Sequence, residues 1–203
     1  MTEWIAGIVN NLGYVGIFLL LVVARVIPPV PAETVIPLAG IGAAQGDFNL
    51  ILIGLAGGVG SALGEFLWYL PSRHLGPDRF RAFLRRHGRW IALRPDQVGK
   101  ATDWFARRGG LAVMICQPVP GVRTFISIPA GACGMRVWQF LVYSIIGSTL
   151  WILVLAGCGY LAKRGWPWLA EWIGPGSLIL FTVPVVIYAV RVARWRDPAP
   201  DPA

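Results

Sequence analysis

Residues 118–131 read PVPGVRTFISIPAG and set one permanent cation, Arg123, inside an otherwise apolar run. A guanidinium is a planar fork of donors that grips a phosphate or carboxylate at two points. Within a membrane such a charge has to be compensated, which makes it a functional-site hypothesis by default. Prolines 118, 120 and 129 and glycines 121 and 131 break any continuous helix here. Irregular backbone at membrane depth persists only where protein or a water-filled cavity covers it. Residues 29–40, PVPAETVIPLAG, repeat the pattern with the opposite charge: Glu33-Thr34 stands where the later copy has Arg123-Thr124. The two copies read as facing halves of one site, one acidic and one basic. Gln117, Thr34, Thr124 and Ser127 offer uncharged hydrogen-bond donors, and half-helix N-termini at the breaks offer anion sites. Glu65, near the end of a long apolar run, is either a carboxylate reaching back to the interface or, with Glu33, a proton relay.

The chain around these residues is that of an integral membrane protein. It is 56% hydrophobic and 14% charged over 203 residues, and several apolar runs approach the roughly 20 residues that cross a bilayer. The net charge of +8 does not point to nucleic acid, because the basic residues cluster between apolar runs and follow the positive-inside rule. Cys116, Cys133 and Cys158 lie in apolar stretches without disulfide or zinc spacing, so no metal and no cofactor is expected. His74 and His87 fall in the basic loop, away from any nucleophile, and the chain does not read as an enzyme.

Taken in order, residues 5–25 form a first span, weakened at its start by Asn10 and Asn11 and closed by Arg25. Residues 26–46 are too short and too proline-broken for a span and read as a re-entrant hairpin. Residues 50–70 form a clear span ended by Pro71, with Gly54, Gly58, Gly60 and Gly64 at the small-xxx-small spacing that lets another backbone approach. Whether that partner is in the same chain or in a homodimer stays open. Residues 72–108 read as two amphipathic helices on the cytoplasmic surface, split near Pro95. Residues 109–135 read as a second re-entrant hairpin, 137–161 as a span, 173–190 as a last span bent at Pro184 and 197–203 as a disordered tail. With the Arg-rich loop and the Arg-rich C-terminus both inside, the two hairpins enter from opposite faces. The expected fold is therefore an all-α polytopic membrane protein with an inverted repeat, each unit a hairpin followed by a transmembrane helix.

The sequence resembles the DedA family of membrane proteins, also called VTT or SNARE-associated-type proteins, over about residues 12–163. The residues that carry the resemblance are PPVPAE at 28–33 with LAG at 38–40, GEFLWY at 64–69 with Arg73 and Gly76, and GGLAV at 109–113. They continue with PGVRT at 120–124, Ala130-Gly131, Met135, Phe140, Gly147, Trp151 and Gly159-Tyr160. The resemblance implies a transporter of the bacterial inner membrane that moves lipids between leaflets, with undecaprenyl phosphate or a phospholipid as cargo, and in some members coupling to protons. Many members carry a Glu nine residues before the Glu33 position and an Arg six residues before the Arg123 position. This chain has Ala24 and Gln117 there, which leaves Glu33 and Arg123 as the expected charge pair. The reading is thus a translocase for a phosphate-bearing lipid, with Glu33, Thr34, Gln117, Arg123, Thr124 and Ser127 around the headgroup. A proton-coupled small-ion transporter using Glu33 and Glu65 is the alternative.

Overall fold

A computed structural model describes residues 2–26, 32–86, 95–119, 123, 126–166 and 186, with only the backbone described for 2–11, 32–34, 77, 81, 83–86, 95–103, 105 and 106. The last span and the tail lie outside the described residues, apart from Val186. Six helices make up the described part: α1 Thr2–Val26, α2 Ala32–Gln45, α3 Leu50–Arg86, α4 Pro95–Cys116, α5 Ser127–Ala132 and α6 Val137–Lys163.

Two stretches are long and apolar enough to cross a membrane, Leu50–Gly76 in α3 and Val137–Lys163 in α6. Their surfaces support that reading. Ile51, Leu52, Leu55, Leu63 and Leu67 on α3 and Val142, Ile146, Leu150 and Val154 on α6 are exposed, while Ser61, Glu65, Ser144 and Ser148 are fully buried. Apolar outside and polar inside is the arrangement a lipid solvent favours, and an exposed apolar surface of this extent is foreign to a soluble monomer. The buried edges of both helices follow a four-residue ladder. On α3 it runs Ile53, Gly57, Ser61, Glu65, Tyr69, and on α6 Phe140, Ser144, Ser148, Ile152, Ala156. Rows at this spacing are the ridges along which helices pack.

The two ladders run antiparallel and divide the interior into three layers. At one end Ile53, Ile152 and Ala156 cluster with Ile17, Leu20 and Leu21 of α1 and Val35, Ile36 and Ala39 of α2. At the other, Tyr69 and Phe140 cluster with Ala112 and Val113 of α4, Ala130 of α5 and Met135. The serines and Glu65 lie between. At 1.5 Å per residue, Glu65 is about 22 Å from Leu50 and about 16 Å from Gly76, so it sits near the middle of the span.

Local chemistry explains the element ends. Asn49 caps α3 by accepting the backbone N–H of Ile51 on its Oδ1 at 2.9 Å, as an N-cap side chain should. Its own N–H donates to the Tyr14 hydroxyl at 2.7 Å, tying α1 to the α2–α3 turn. The helix runs through Pro71, where the sequence suggested an end, and first breaks at Gly76 (φ 74). A proline is tolerated in a membrane helix whose surroundings re-satisfy the backbone, and in the turn at Pro71 Ser72 Oγ donates to Trp68 O at 2.7 Å. α5 ends in a Schellman turn: Gly134 takes φ 73, with Gly134 N–H donating to Gly131 O at 3.0 Å and Met135 N–H to Ala130 O at 3.1 Å.

α1 differs from the expected first span. It is broken at Gly13 (φ 56), inside the stretch expected to cross as one helix. It runs beside α3 from Tyr14 at the α2–α3 end to Arg25 beside Gly64, which lies near mid-height. α4, kinked at Arg108, ends at Cys116, just before Gln117, from the opposite side of the same layer.

Candidate functional site

The middle layer is where the polar side chains of four segments meet. Glu65 is fully buried. Its Oε2 accepts Gln117 Nε2 at 3.0 Å and the hydroxyl of Ser144. Its Oε1 faces Arg25 Nε at 3.5 Å, and that guanidinium is only 2% exposed. Arg25 also donates from Nη2 to Ser61 Oγ at 3.0 Å. Arg123 is buried and close enough to act electrostatically on Glu65. Buried charges need such partners, because removing one member strands the other in a medium that cannot solvate it.

Close backbone approach delivers each of these groups. A Cβ at Gly64 would lie 2.5 Å from Arg25 Cβ and 2.8 Å from Val22 O, so glycine is what lets α1 press Arg25 toward the residue next to it, Glu65. A Cβ at Gly147 would lie 2.8 Å from Gln117 Cγ, so the same device brings the tip of α4 against α6 beside Ser144. The tip of α1 is held further by Trp68, whose indole N–H donates to Arg25 O at 3.1 Å. On the far side, the Tyr69 hydroxyl donates to Met135 O, and Arg73 Nη1 donates to the same carbonyl at 2.9 Å.

Of the residues expected to form a site, Gln117, Arg123 and Ser127 are all buried, and Gln117 reaches the layer directly. The side chains of Glu33 and Thr34 lie outside the described residues, as does residue 124. Glu65 does not reach toward an interface: it is the carboxylate of the layer, and Arg25 is its ion-pair partner. Sequence reasoning took Arg25 as the closing charge of a span and passed over Ser61, Ser144 and Ser148. A signal was present. Ser61 and Glu65, and again Ser144 and Ser148, are polar residues four apart in apolar runs, so each pair shares a helix face. The Oγ atoms of Ser127 and Ser148 and the Oε1 of Gln117 are buried without a hydrogen-bond partner among the described residues.

Residues 37–161 match the VTT domain. The chain is 31% identical over 199 residues to undecaprenyl phosphate transporter A of Staphylococcus aureus, covering 97% of this chain and 98% of that one. It is 26% identical over 183 residues to the protein of the same name from Bacillus subtilis, covering 90% and 86%. An alkaline phosphatase-like protein of Lactococcus lactis subsp. cremoris is 29% identical over 189 residues, covering 93% and 88%. No solved structure matches the chain.

Proposed function

The chain belongs to the VTT-domain (DedA) family, and on that premise we propose that it carries a phosphate-bearing lipid between the leaflets of a bacterial inner membrane. The observation that carries this reading is the buried layer at mid-span, where Arg25 pairs with Glu65 at 3.5 Å and Arg123, from the other half of the chain, is buried near enough to act on the same carboxylate. A lipid translocase needs a polar slot for the headgroup and an apolar exterior along which the chain can slide, and the long helices are apolar outside and polar within. Arg123 grips the phosphate, Gln117, Thr34, Thr124 and Ser127 add donors, and Glu33 balances Arg123 from the other half. Undecaprenyl phosphate, the cargo in the names of two relatives, has this chemistry.

The architecture proposed for this is an inverted pair of re-entrant hairpins. Two facts support it. α1 and α2 share an apolar cluster at one end of the span, and α4 and α5 share one at the other. The polar layer lies where the two units meet. Each apolar cluster then closes one route to the site, and alternating access opens them in turn. The full burial of Glu65 keeps the second reading, a proton-coupled small-ion transporter with Glu33 and Glu65 as relay.

The test is translocation of a fluorescent short-chain prenyl phosphate in proteoliposomes, with the prenyl alcohol as control and release of inorganic phosphate followed in the same vesicles. Transport of the phosphate lipid alone, with no phosphate released, is expected. Arg123→Lys keeps the charge but loses the fork and should slow transport clearly. Arg123→Ala should be worse, and the double change Glu33→Gln with Arg123→Gln should fold better than Arg123→Ala yet transport nothing. A double variant with the wild-type rate would overturn the phosphate role of Arg123.

A further inference from the structure

Glu65 is bound unequally at its two oxygens. Oε2 takes two hydrogen bonds, from Gln117 and Ser144. Oε1 has no hydrogen bond among the described residues and meets Arg25 only through Nε at 3.5 Å. That is long for a charge-assisted hydrogen bond, which closes to about 2.7–2.9 Å. The carboxylate thus grips Arg25 by charge rather than by the two-point fork of which a guanidinium is capable. It also keeps partners of its own: if Arg25 turned to another anion, Gln117 and Ser144 would still hold Glu65. Arg123 feels the same carboxylate from the other half. One turn along α6 from Ser144, Ser148 is buried with its hydroxyl unsatisfied among the described residues, which leaves a donor for an anion with more oxygens than a carboxylate.

We propose that Glu65 is a stand-in for the phosphate of the cargo, and that Arg25 is a phosphate ligand which Glu65 occupies while the site is empty. This rests on the lipid-phosphate reading and deepens it by adding a ligand and a competitor. On arrival, the phosphate takes the fork of Arg25, and Glu65 relaxes onto Gln117 and Ser144. A phosphate monoester carries about 1.5 to 2 negative charges and three acceptor oxygens, against the single charge it displaces. The exchange keeps the charge that Glu65 lends Arg25 in place until the phosphate replaces it.

The experiment measures binding to the purified full-length chain in detergent, for a short-chain prenyl monophosphate, inorganic phosphate and the prenyl alcohol. Glu65→Gln removes the competitor and should tighten the prenyl monophosphate by about tenfold or more, the worth of a hydrogen bond to a charged group. Arg25→Lys keeps the ion pair but loses the fork and should weaken it by about fivefold or more. The alcohol should respond to neither change. An affinity that is unchanged or weaker in Glu65→Gln overturns the exchange while leaving lipid transport by the wild type intact. If Glu65→Gln does not fold, Arg25→Lys decides: an unchanged affinity overturns the proposal, and a clear loss with normal thermal stability supports it. Equal gains for inorganic phosphate and prenyl monophosphate would uphold the exchange and sink the lipid reading. A wild type that binds neither would sink both.

Discussion

The two halves of the chain share their backbone crossings and differ in the groups they carry to the centre. In the first half, α2 crosses α6 so closely that a Cβ at Gly40 would run into Ala156 O, and one at Gly159 into Pro37 O. In the second half, α5 crosses α3 just as closely, and a Cβ at Gly131 would strike Tyr69 O. Thus α2 of the first half packs on α6 of the second, and α5 of the second half packs on α3 of the first. At the centre the likeness ends. The first half brings Arg25, held by charge, while the second brings Gln117 and Arg123. The lesson is that close backbone contact at small residues recurs in both halves and builds the scaffold, while the charged and polar groups brought to the centre differ.

Five substitutions break or sharpen that comparison, and thermal unfolding in detergent checks each. The largest effect belongs to the centre. Glu65→Ala leaves Arg25 buried without its carboxylate and should cost about 3–5 kcal/mol; a near-neutral result would mean that the layer does not depend on this pair. Next come the crossings, where Gly40→Ala and Gly131→Ala should each cost about 1–3 kcal/mol because the added carbon meets backbone rather than a side chain that can turn away. Similar losses support the equivalence of the halves, and a large loss in only one of them ends it. Tyr69→Phe removes a hydroxyl that donates to Met135 O and accepts from Arg73 Nη1, and should cost about 1–2 kcal/mol. It tests the lock on Met135, beside the Tyr14–Asn49 tie of the first half. Smallest is Gly157→Ala on α6, where a Cβ meets nothing within 4 Å. It should stabilise by up to about 1 kcal/mol, since glycine is a poor helix former. A loss there would mean that this face packs against another surface, such as a second copy of the chain.

Much of this was legible in the residues. The membrane class, the two long helices and the restart of helix at Pro95 follow from apolar run length and proline placement. Gln117, Arg123 and Ser127 were chosen as polar residues in apolar surroundings, and all three are buried. The end expected at Pro71 was misjudged because a membrane helix can carry a proline through, and this one first breaks at Gly76. The break at Gly13 was not legible, because it falls inside a stretch whose composition stays apolar. Glu65 was judged by its distance from Pro71, so moving the helix end to Gly76 moves Glu65 to mid-span.

Sequence by itself determined the solvent this protein lives in and the repeated proline–glycine pattern, because hydropathy and backbone restriction are properties of short stretches. It also showed that four glycines on α3 invite a close partner. Only the tertiary structure decided who the partners are: Gly60 and Gly64 face α1, Gly54 and Gly58 face α6, all within one chain. It alone paired Glu65 with Arg25, forty residues earlier in the chain, and Gln117, fifty-two later. The physical reason is that a buried charge is compensated by whatever the packing brings within a few ångströms, and packing is fixed by contacts between elements far apart in the chain.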